Sequence, residues 1–191
     1  MRQKSLLRTI LEPLGIALGL AVLVRGAVNI YSIPSESMSP MLQPGDQIVV
    51  TRYFGAEPRR GDVIVFESPV ASDELVVKRV VGLPGDLVDA RLGRVRIGGH
   101  TLPEPYVLRA AATGAIDAQL VPHDAYFVLG DNRDESLDSR SWGVVPRESI
   151  VGRARMVLWS SRVAATPANA STAMPSHFAS TRTPRVFKYI D

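Results

Sequence analysis

A chain of 191 residues, 46% of them hydrophobic, is long enough for one packed domain of ordinary size with appendages. A formal net charge of +3, with no basic run interleaved with aromatics, argues against nucleic acid as a partner. The absence of cysteine excludes a disulfide scaffold, a thiol nucleophile and a thiolate metal site. The three scattered histidines, His100, His123 and His177, lack the spacing of metal ligands and make an unpromising set for a His-based triad.

Residues 1–8 carry Arg2, Lys4 and Arg8 ahead of an apolar run from Pro13 to Val24. That core is shorter than the roughly 20 residues a bilayer requires, but a span over 9–30 restores the length, with Arg8 and Arg25 snorkelling to opposite interfaces. Tyr31 would then sit at the outer interface, where aromatic rings are favoured. A buried core helix is disfavoured by the basic front end and by apolarity on all faces. A cleavable secretory signal is disfavoured by the lack of an A-x-A site just after Val24. The expectation is an uncleaved signal anchor. The positive-inside rule places residues 1–8 in the cytoplasm and everything after Tyr31 outside.

From Gln47 the pattern changes to short β-branched or apolar runs: QIVVTRYF, DVIVFESP, ELVVKRVVG, RVRIGG, AYFVLGD and RARMVLW. Gly, Pro and Asp punctuate them, and Gly98-Gly99 suits a hairpin turn. These features predict a compact, mainly antiparallel β domain over 31–162. From Val163 the composition shifts to Ala, Ser, Thr and Pro, so 163–191 reads as a disordered or loosely attached tail with no assigned role.

Three segments carry chemistry. IPSESMSPML (Ile33–Leu42) offers Ser35, Ser37 and Ser39 directly after the anchor, yet a free hydroxyl is a poor nucleophile without an adjacent base. ELVVKRVVGLPGD (Glu74–Asp86) sets Lys78 and Arg79 inside a valine run, where charge is costly to bury. Of the two, only a desolvated lysine can lose its proton near neutral pH. Periodicity puts Lys78 on a face with Val76 and Val80 but does not say which face is the core. Taken singly, a serine-rich linker and a snorkelling lysine are the blander explanations. GDNRDESLDSRSWG (Gly130–Gly143) fails as a calcium loop, because Arg133 stands at a ligand position and Ser136 where the sharp-turn Gly belongs. Its alternating charges suit a fixed salt-bridged turn supporting a site from behind.

In this order, IPSESMSPMLQPGD, RRGDVIVF, VKRVVGLPGD and GDNRDESLDSRSWGVVP resemble the successive boxes of the type I signal peptidases, the S26 Ser–Lys peptidases. The resemblance runs from about Leu6 to Trp159. It implies a β-rich catalytic domain with one transmembrane anchor, in the compact form that lacks a large inserted β domain. It implies Ser37 as nucleophile, Lys78 as general base, Ser35 as the hydroxyl completing the oxyanion hole, and Ser136 as the hydroxyl orienting the lysine. Asp138 and Arg140 match a structural salt-bridged pair, and Ile33, Met38, Leu42 and Val77 match residues lining the pockets for the substrate. The implied activity is removal of signal peptides from exported preproteins after Ala-x-Ala at the cell membrane, through an acyl-enzyme, without metal or cofactor. The implied partners are signal peptides and the lipid bilayer. The rival readings are a dedicated peptidase for one exported or conjugative substrate and an inactive membrane-anchored β-rich binding protein.

Overall fold

The computed structural model describes residues 6–71, 73–107, 115–160 and 187–190. Helix α1 covers Leu6–Ala27. Its stretch Ile10–Ala27 has a mean hydropathy of 1.7 and no buried part, so it is long and apolar enough to cross a membrane by length and composition. Strand β1 (Val28–Ser32) follows at the next residue. The helix therefore stops three residues short of the end of the expected 9–30 span. Val28, Asn29 and Ile30 pair with Thr51, Val50 and Val49, and Tyr31 packs half-buried against the core. An apolar run cannot announce this change, because β-branched residues prolong its hydropathy while the neighbouring strand supplies ladder hydrogen bonds.

The strands that follow are β2 (Asp46–Thr51), β3 (Val63–Glu67), β4 (Leu75–Gly82), β5 (Leu87–Arg91), β6 (Arg94–Ile97), β7 (His100–Thr101), β8 (Ile116–Leu120), β9 (Ala125–Leu129), β10 (Val145–Pro146), β11 (Ile150–Ser160) and β12 (Lys188–Tyr189), with a one-turn helix α2 (Ser139–Trp142) between β9 and β10. Among the described residues every strand pairing is antiparallel. One sheet runs β1-β2-β11-β3-β4-β9-β10, with β12 added beside β11, and a second runs β7-β6-β5-β8. The mainly antiparallel β architecture with one apolar N-terminal helix is as expected. Gly98 and Gly99, both at positive φ, make the turn between β6 and β7. The tail expectation is corrected at 187–190, where β12 pairs with β11; the remainder of 161–191 lies outside the described residues.

Strand β4 is central because β3 and β9 flank it, and from Lys78 to Gly82 it is buried. The valine run thus reports a strand covered on both faces, as continuous apolar runs do. One core cluster includes Ile33, Met38, Leu42, Val63 and Val65; another includes Ile64, Phe66, Val80 and Val128. Between them they fix the segments that bear the serines and the lysine.

Candidate active site

The loop Ile33–Leu42 leaves β1 and is held at both ends. Ile33 N–H donates to Asp46 O and Gly45 N–H to Ile33 O, each at 2.9 Å, while Leu42 N–H returns to Met38 O at 2.9 Å. Met38 and Leu42, both buried, anchor the loop from below. Two further bonds come from the far side of the site, where Asn132 N–H reaches Ser37 O at 3.0 Å and Asn132 Nδ2 reaches Glu36 O at 3.2 Å. Ser37 is therefore presented by a braced turn rather than a free linker.

Across from it stands Lys78, only 3% exposed, with its Nζ donating to Ser37 Oγ at 2.7 Å. The residues lie 41 apart in sequence. Among the described residues no carboxylate makes a salt bridge to this lysine. Burial, the largest influence, disfavours its charged form and pushes its pKa from 10.5 down to about 8. Asp138 and Asp131 pull it back up, while Arg140 pushes it down. The opposed effects of Asp138 and Arg140 have a visible cause in their two-pronged ion pair, at 2.7 and 2.9 Å. A carboxylate already neutralised by a guanidinium does little to hold a proton on Lys78.

Ser35 Oγ lies 3.3 Å from Ser37 Oγ. Among the described residues no acceptor takes the Ser37 N–H. Ser136 Oγ is buried without a hydrogen-bond partner among the described residues, so no bond joins it to Lys78 here. It does lie close to the nucleophile loop: a Cβ placed on Gly130 would meet Ser136 Oγ at 2.2 Å and Ser37 O at 2.5 Å. Gly130 leaves the space in which the two segments approach.

Asp138 is fully buried. It accepts from Gly130 N–H at 3.0 Å and caps α2 by accepting from Arg140 N–H at 3.3 Å. Arg140 also donates to Arg133 O at 2.6 Å and Ser136 O at 3.1 Å. One carboxylate and one guanidinium thus knit the segment 130–140 into a rigid turn.

A cavity of about 130 Å³ opens beside the serine and lysine; its walls include Ile33, Met38, Val65 and Val77, and both Ser35 and Ser37 reach it. Leu42 is not among the lining residues. It sits wholly buried in the cluster behind Ile33 and Met38.

Arg79, the second cation of the valine run, also lies beside the site, and its partner was not legible in the sequence. Arg79 holds Asp131 through Nε–Oδ1 and Nη2–Oδ2 bonds, both 2.8 Å, with both side chains 1% exposed, and its Nη1 donates to Gly61 O at 2.8 Å. Its guanidinium lies over the Tyr106 ring, 4.1 Å from the centroid, and Tyr106 bonds Glu104, which pairs with Arg133. An arginine in a valine run is a signal that a buried carboxylate faces it; which carboxylate is not legible from spacing.

A buried hydroxyl in contact with an amine that readily gives up its charge is the equipment of a serine hydrolase. The comparisons define the family. Residues 7–159 match the model of signal peptidase, peptidase S26. The chain is 41% identical over 159 residues to signal peptidase I of Leptolyngbya laminosa, covering 78% of each protein. It is 37% identical over 159 residues to probable signal peptidase I-2 of Synechocystis sp., covering 80% of this chain and 71% of the relative. With signal peptidase I of Bacillus licheniformis the identity is 33% over 158 residues, covering 75% and 84%. This chain belongs to the signal peptidase family, peptidase S26.

Proposed function

We propose that the chain removes signal peptides from exported preproteins as a serine endopeptidase with a Ser–Lys dyad. The carrying observation is the 2.7 Å contact between Lys78 Nζ and Ser37 Oγ, made by a buried lysine whose pKa is pushed down to about 8. About a tenth of such lysines are neutral at pH 7, and each can accept the hydroxyl proton directly. Ser37 Oγ then attacks the scissile carbonyl. The oxyanion is received by the Ser37 N–H and by Ser35 Oγ, and losing one such donor typically costs about 10²–10³ in rate. The Lys78 ammonium gives its proton to the departing amine, and water hydrolyses the acyl-enzyme with Lys78 again as base. Ser136 fits a role orienting the lysine, since its unpartnered buried hydroxyl borders the same loop. Asp138 and Arg140 hold that turn in shape, and no cofactor enters any step.

Cleavage after Ala-x-Ala is supported by the small size of the cavity and its walls of Ile33, Met38 and Val77, which leave little room for long side chains. The helix α1 is consistent with a membrane-anchored protein. In our reading it spans the cytoplasmic membrane with residues 1–8 inside and the β domain outside, and its substrate emerges from the same bilayer. A preprotein bearing an Ala-x-Ala site, presented in detergent or liposomes across pH, tests the whole reading. Wild type cuts after the small residue, whereas Ser37→Ala and Lys78→Ala are folded and inactive. Near-normal activity in either variant refutes the dyad; a folded wild type that cuts no preprotein refutes the substrate class.

A further inference from the structure

The segment Phe187–Ile190 lies beyond the family match, which ends at residue 159, and yet it enters the core. Strand β12 pairs with β11 in the register Met156↔Tyr189 and Val157↔Lys188. Ile190 N–H donates to Arg155 O at 3.0 Å, and Phe187 N–H reaches Leu158 O at 3.4 Å. Phe187, Lys188 and Tyr189 remain exposed, whereas Ile190 is 4% exposed. Ile190, the residue just after β12, is the one of these four that turns its side chain into the core. The cluster that receives Ile190 also contains Ile33, Met38 and Leu42, and Ile33, Met38 and Val65 belong at once to this cluster and to the cavity wall beside Ser37.

We propose that Ile190 is a positioning residue for substrate selection: by completing the core cluster to which Ile33 and Met38 belong, it holds the cavity wall at the width that admits small side chains. This rests on the function proposed above. Close-packed interiors transmit such a change, because a void beneath a wall lets the wall relax toward it. Lys78 is held apart from this cluster by β4, and Ser37 has a second brace from Asn132, so the effect falls more on discrimination than on proton transfer.

The test compares full-length wild type, Ile190→Ala, Ile190→Val and Tyr189→Ala, using two synthetic peptides with Ala or Val before the scissile bond. Measurements are made well below each variant's unfolding midpoint. In Ile190→Ala the preference for the Ala peptide falls about tenfold, mainly through KM, while the midpoint of the pH profile stays in place. Ile190→Val stays within about twofold of wild type, and Tyr189→Ala, on an exposed side chain, matches it. Amide hydrogen exchange at Ile33 and Leu42 accelerates in Ile190→Ala and not in Tyr189→Ala, whatever substrate the enzyme takes. A lowered unfolding midpoint with unchanged preference and unchanged exchange overturns the proposal. Should Ile190→Ala not fold, Ile190→Val, which still removes a methyl group, carries the test through the exchange measurement, and wild-type exchange at Ile33 and Leu42 in that variant overturns the proposal. A wild type that cuts neither peptide refutes the substrate reading instead, and the exchange measurement still decides whether Ile190 positions the loop.

Discussion

Lys78 and Arg79 are consecutive cations on one buried strand, and they meet opposite fates. Arg79 is neutralised by Asp131 through two parallel bonds and is covered by the Tyr106 ring. Lys78 faces a hydroxyl, and the carboxylate nearest in influence is already engaged by Arg140. Adjacent residues of a strand point to opposite sides, so each side of β4 can impose its own electrostatics. The lesson is that burial alone does not make a base. Burial with a matched counter-ion fixes a charge, and burial without one loosens it.

The largest break in this contrast comes from the dyad. Lys78→Met or Ser37→Ala lowers kcat/KM by about 10³-fold or more, measured on a preprotein substrate, because the step then lacks its base or its nucleophile. Next comes the ion pair. Arg79→Met leaves Asp131 buried and uncompensated, and denaturant unfolding registers a loss of about 3–5 kcal/mol, whereas the double variant Arg79→Met/Asp131→Leu recovers most of it. Full stability in Arg79→Met alone would erase the distinction between the two cations.

Lys78→Met acts in the opposite sense on the fold. It removes a cation that burial disfavours, so at pH 7 it raises stability by about 1–3 kcal/mol while abolishing turnover. The same shift sets two pH dependences. Activity rises with pH through about 8, as the lysine loses its proton. Stability rises too: between pH 8 and 10.5 the unfolded chain binds this proton and the folded chain does not, so raising pH across that window favours the folded state. Unfolding curves of wild type and Lys78→Met over that range converge on the alkaline side if the sign is right. The smallest effect is reserved for Asn132→Ala. It deletes one bond to the loop at an exposed position, lowering kcat a few-fold and stability by less than about 1 kcal/mol.

Much of the site was legible because its chemistry is local in sequence. A serine in IPSESMSP and a lysine in a valine run are each odd within a few residues, and the LPGD and GDNRD turns mark where strands end. What was not legible depends on partners chosen in three dimensions. Asp131 lies 52 residues from Arg79, and nothing in PEPY marks Tyr106 as the ring beneath that guanidinium. Strands β5 and β8, written LVDAR and IDAQL, are too short and polar to stand out, and β1 was hidden by the apolar run before it. Ile190 escaped because its neighbours 163–186 lack apolar periodicity, and one buried residue makes no pattern.

The direct passage from α1 to β1 carries a consequence of its own. The helix ends at Gly26-Ala27 and the strand starts at Val28, with five residues of ladder pairing immediately after the junction. Such a joint acts as a ruler rather than a leash. The distance of Ser37 from the end of the helix is then set by a count of residues. Inserting a few residues between Ala27 and Val28 would shift that distance and leave the chemistry untouched.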